Sequence, residues 1–89
     1  MESGMTHEER RELQVLSDAE ALPKLGKYYY NFKSEPELAA TARRLGRKPV
    51  PHMIEISESA NQIYLIRMHE SGKVRLSELR TKLAAEQHS

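Results

Sequence analysis

The residues of this 89-residue chain whose types and spacing could do chemistry are basic. From Thr41 to Pro51 the run TARRLGRKPVP holds four cations, Arg43, Arg44, Arg47 and Lys48, and no acid. Arginine presents a planar fork that matches phosphate or the edge of guanine, while lysine acts as a point charge on phosphate. A looser basic stretch follows, with Arg67, Lys73, Arg75, Arg80 and Lys82 set against Glu70 and Glu78. Two separated basic clusters form a candidate footprint for a polyanion. The net charge of +1 hides this split: residues 1–20 hold six acids against two arginines, leaving +5 for the rest.

Other chemistries lack their residues. There is no cysteine, so thiol catalysis, disulfides and thiolate zinc sites are excluded. His7, His52, His69 and His88 are too far apart for a local metal motif, and Asp18 is the sole aspartate. The pairs Glu35/Glu37 and Glu55/Glu58 read as surface or helix-capping groups rather than an acid/base couple. No glycine-rich phosphate loop or Ser/His/Asp grouping is present. The chain is therefore read as a non-enzyme without a metal or cofactor. Tyr28, Tyr29, Tyr30 and Phe32 could stack bases, but core packing of at least two of these rings is the preferred reading. No run nears the roughly 20 apolar residues of a membrane span, and the polar N-terminus lacks a signal-peptide core. A cytoplasmic protein is expected.

The elements that position these residues follow from punctuation and period. Residues 1–16 read as an acidic arm, mobile or partly helical, with Leu13 and Leu16 on one face. Met5 is a plausible native start. Ser17 with Glu20 has capping-box spacing and opens a short helix from Asp18 to Leu25. The aromatic run 28–32 reads equally as a strand or as a continuation of the first helical unit. Ser34-Glu-Pro-Glu37 is a strong helix start, and Leu38, Ala42 and Leu45 give a buried stripe, so Glu35–Leu45 is a helix ended by Gly46. Met53–Ile56 and Gln62–Ile66 form a hairpin around the polar turn 57–61, with Ile54, Ile56, Ile63 and Leu65 on one face. Ser71-Gly72 breaks the chain, and Leu76, Leu79 and Leu83 mark a last amphipathic helix, with Val74 leading into it. Residues 86–89 form a tail.

The order helix, helix, hairpin, helix is an α+β plan, that of a small winged helix-turn-helix domain over residues 17–85. Helix 35–45 becomes the recognition helix. Thr41, Arg43 and Arg44 face DNA, and Arg47 and Lys48 follow in the next loop. The run EPELAATARRLGRKPVP, then a hairpin, then VRLSEL, resembles the small excisionases, or recombination directionality factors, of MerR-like winged-helix fold. It is also similar to small phage-type transcriptional activators. The resemblance implies sequence-specific binding and bending of double-stranded DNA at an attachment site or promoter. It further implies self-association on that DNA and a tyrosine-type integrase as partner. The wing tip carries only Glu58, so Arg67 and Lys73 stand in as wing-side contacts.

A rival reading takes residues 27–32 as a true strand. The order becomes β-α-β-β-α, a truncated ferredoxin-like sandwich of the kind used by protein-interaction modules and nuclease inhibitors, with no DNA partner. The outcome at residues 28–32 and the exposure of helix 35–45 separate the two readings.

Overall fold

A computed structural model describes residues 4–25, 29–46 and 53–87. Six elements follow one another: α1 His7–Leu25, β1 Tyr29–Asn31, α2 Pro36–Gly46, β2 Ile54–Ser59, β3 Gln62–Met68 and α3 Glu70–Gln87. The fold is α+β, with three helices and one antiparallel sheet of order β1-β3-β2.

Helix α1 differs most from the sequence reading. The capping box forms at Thr6 and Glu9, where the Glu9 amide donates to Thr6 Oγ1 (3.0 Å) and the Thr6 amide to Glu9 Oε1 (2.9 Å). Ser17, expected as a cap, lies inside a continuous helix. Residues 7–16, expected as part of a mobile or partly helical arm, are the first half of that helix. Glu12, Val15, Leu16 and Ala19 are buried at i, i+3, i+4 and i+7, a helical stripe with a carboxylate in its first place. Met5 joins the same core ahead of the helix.

Residues 29–31 are a strand pairing with β3, Tyr29 opposite Tyr64, Tyr30 opposite Ile63 and Asn31 opposite Gln62. Tyr30 points inward at 1% exposure, and Phe32 is half-buried against the core, so two of the aromatic rings pack as expected. The Tyr30 hydroxyl donates to Asp18 Oδ2 of α1 (2.5 Å), which gives its polar tip a part-buried partner. Burial, reinforced by the Asp18 carboxylate, pushes the phenol pKa up, so it remains a donor.

Helix α2 lies within one residue of its expected span at each end, with Gly46 as its last residue. Its buried residues are Ala39, Thr41, Ala42 and Leu45, with Leu38 only partly covered. The turn leading into it is closed by Asn31, whose Oδ1 accepts from the Lys33 amide (2.7 Å) and the Ser34 amide (3.3 Å). The hairpin is tighter than a five-residue loop. Ser59 pairs with Gln62, leaving only Ala60 and Asn61 at the tip. Ile54, Ile63 and Leu65 are buried and Ile56 packs against them, as the pattern required. Ala60 sits at φ 25°, on the left-handed side that a Cβ disfavours and two-residue hairpins demand. Ala60→Gly is therefore expected to raise stability by roughly 0.5–1 kcal/mol in urea unfolding.

Helix α3 begins at Glu70, earlier than the Ser71-Gly72 break suggested. Glycine at 72 is required by proximity, because a Cβ there would run into the Met53 carbonyl oxygen. Leu76 and Leu79 are buried and Leu83 partly so, while Val74 is 53% exposed instead of leading into the core.

Candidate functional site

Helix α2 was expected to present a free cationic face. Its residues are instead engaged within the chain. Thr41 is 3% exposed, and its hydroxyl donates to Glu8 Oε2 of α1 (3.3 Å). Arg44 pairs through Nη2 with Glu8 and with Glu12 Oε2 (2.5 Å). Arg43 donates to Glu58 Oε1 near the hairpin tip (2.7 Å), and its guanidinium carbon lies 4.8 Å from the centroid of the Phe32 ring. The only charge near the wing tip thus faces α2. Arg47 and Lys48 lie outside the described residues. Arg67 is largely exposed and donates through Nε to Glu55 Oε1 (2.9 Å). Lys73 is exposed on the first turns of α3 and lines a shallow groove with Glu20, Leu76 and Arg80. The structure therefore brings Thr41 and Arg44 together under α1, places Arg43 against the hairpin, and leaves Arg67 and Lys73 on separate elements.

The acids of α1 are what the sequence reading missed. Glu12, 6% exposed, accepts from Arg44 of α2 and from Arg75 of α3, whose Nε and Nη2 approach Oε1 at 3.0 and 2.9 Å. Glu9 takes Lys82 (2.5 Å), Glu20 takes Arg80 (2.7 Å), and Arg10 reaches Glu86 (2.6 Å). The −4/+5 division along the chain is thus largely closed within one molecule. Glu8 and Glu12 lie one turn apart on a single helical face, a spacing that would have exposed them had residues 7–25 been read as one helix.

These pairings shift titration. Burial pushes the Glu8 carboxyl up, but the Arg44 and Arg11 guanidiniums outweigh it and hold it below its ordinary 4.5. Glu9 is held low by Lys82 and by the Thr6 amide. Burial opposes the charge on Arg44, and Glu12 and Glu8 more than restore it, so its pKa is raised. A carboxylate depressed in the folded state stabilises it above the unfolded value and loses that contribution as pH falls through the folded value. Thermal stability is expected to stay flat from neutral pH to about 5 and to drop below about 4.5, with a shallower drop in Glu8→Gln.

A second surface is the sheet face turned away from the core. Its residues stand in rows across the strands: Ser59, Gln62 and Asn31; Ser57, Tyr64 and Tyr29; then Glu55 and Arg67. A register shift between Glu55 and Ile56 leaves Ile66 unpaired on β3 at 49% exposure. Tyr29 is 40% exposed, and its ring centroid lies 5.5 Å from that of Tyr64. Tyr64 donates its hydroxyl to Gln62 Oε1 (2.7 Å). Among the described residues, two of the three exposed large hydrophobic side chains, Tyr29 and Ile66, lie on the strands of this sheet.

Among the described residues no three His, Cys, Asp or Glu side chains are grouped to hold a metal ion, and no helix is long and apolar enough to cross a membrane. The chain matches no protein-family model, no curated protein and no solved structure.

Proposed function

We propose that this chain is a non-catalytic interaction module that acts by protein contact through the open face of its sheet, in the cytoplasm. The observation that carries this reading is the state of α2: Thr41 is buried, and Arg43 and Arg44 each already hold a carboxylate of the same chain. A groove-reading helix needs these donors for bases and phosphates, and here Arg43 and Arg44 must first leave Glu58 and Glu12. The order from Tyr29 onward, β-α-β-β-α, supports the same reading. It is the order of the truncated ferredoxin-like sandwich, in which interaction modules and nuclease inhibitors act by surface complementarity. The tyrosines and the arginine of this neutral patch are residue types enriched at protein contact surfaces.

A second reading retains duplex DNA. The hairpin β2–β3 follows α2 directly and β1 pairs with β3, the succession of a helix and its wing. An excisionase-like role, bending an attachment site for a tyrosine-type integrase or controlling a promoter, belongs to that reading. Titration of the chain into labelled duplexes from about 50 to 200 mM salt separates the two. Protein contact requires no saturable binding beyond weak, sequence-independent association, with no change in Arg43→Ala/Arg44→Ala. Tight binding that weakens steeply with salt and is lost in the double variant would establish the DNA reading instead.

A further inference from the structure

We propose that the open sheet face is the contact surface for a second copy of this chain, packed face to face about a two-fold axis running between β2 and β3. The inference deepens the protein-contact reading above and rests on it. An isologous interface must complement itself, and the register shows how this face does so. Along β2 the outward side chains are Glu55, Ser57 and Ser59. Their neighbours on β3 are Arg67, Tyr64 and Gln62. A two-fold axis between the strands sets each residue of one column over the partner copy's other column. Glu55 then meets the guanidinium of the facing copy, Tyr64 lies over a serine-sized gap, and Gln62 does the same one row on. Large side chains meet serines in two of the three rows, and in the third the ion pair within one chain becomes a four-membered square of alternating charge. Aligned sheets pack about 10 Å apart, a distance that such large-on-small layers fill.

The charge of the face selects this occupant over a polyanion. Glu55 and Arg67 are its two charged residues, so it sums to zero and releases no counterions to a nucleic-acid backbone. Exposure agrees, because Ile66 stands half-exposed on the β3 column that a second sheet would cover. The size of the face sets the strength. The facing columns, six residues along by two strands across, span about 20 Å by 10 Å, well below the standard interface, so the dimer is weak and transient.

The test is sedimentation equilibrium on the full chain from about 10 µM to about 1 mM. The mass is expected to rise from the 10.3 kDa monomer toward twice that value across this range. Ser57 is exposed and takes no part in the core, so Ser57→Arg is expected to leave the melting temperature unchanged and weaken association at least about tenfold. Glu55→Arg and Arg67→Glu should each weaken it, and the double reversal should restore it. A chain that stays monomeric at the highest concentration overturns the proposal, as does a dimer untouched by all of these variants. A monomer that binds single-stranded oligonucleotide and loses it in Tyr64→Ala also overturns it, assigning the face to base stacking. A monomer indifferent to duplex DNA would remove the dimer alone, whereas salt-sensitive duplex binding would remove the reading beneath it.

Discussion

Leu16→Ala is expected to destabilise this protein by about 2–5 kcal/mol in urea unfolding, a large share of the total for so small a domain. Leu16 has no exposed surface and packs in the one cluster that joins α1, α2, the sheet and α3. Truncation removes apolar contacts and leaves a cavity that the rest of the buried cluster must collapse to fill. A chain of this length has few other large apolar groups to compensate. Deletion of residues 1–16 should consequently abolish cooperative unfolding. An arm that only fringes the domain would permit both changes at a cost below about 0.5 kcal/mol, the ordinary cost of a surface change.

The second large effect is expected at Glu12. Its carboxylate is buried and joins three helices, accepting from Arg44 of α2 and Arg75 of α3. Removing one member of a buried ion pair costs about 3–5 kcal/mol when the partner stays buried. Arg44 is half-exposed and Arg75 about a quarter exposed, so both regain some hydration and the cost of Glu12→Ala falls to about 2–3 kcal/mol. Glu12→Gln keeps the shape but turns an amide donor toward guanidinium donors, and should lose roughly half as much. Urea is the denaturant of choice, because guanidinium salt screens the pairs being measured. Equal, small losses in Glu12→Ala and in an exposed control such as Glu78→Ala would show that the buried carboxylate carries no special stabilisation.

Legibility from the sequence tracked how local each cause was. Helix α2 and strands β2 and β3 could be read because their signals are contiguous: Pro36 in a first turn, and β-branched residues alternating at period two from Ile54 and Ile63. Helix α1 could not be read as one docked element, because its inward stripe opens with a glutamate that a hydrophobic count rejects. The arginines that make Glu12 acceptable there lie 32 and 63 residues away. The capping box at Thr6 was outcompeted by the same spacing at Ser17, and only tertiary packing decides between them. The start of α3 was hidden by Gly72, which reads as a break but answers to the close approach of Met53.

The candidate site failed to be legible for a related reason. Residue type placed Arg43 and Arg44 near the surface, where both have exposed atoms, but type carries no information on partners. The acids that occupy them come from α1 and from the hairpin, brought together only by the fold. The outward sheet face was equally hidden, since its rows exist only once the register of three strands is fixed.

A double-mutant cycle between Glu12 and Arg44 measures most directly whether the cations of α2 are already spent on their own chain. Unfolding of the wild type, Glu12→Ala, Arg44→Ala and the double variant in urea at low salt gives the coupling. Internal pairing requires a coupling above about 1 kcal/mol that shrinks as salt is raised. Additive losses, within about 0.3–0.5 kcal/mol, would mean that Arg44 is free for an external anion and that its pairing to α1 holds nothing together.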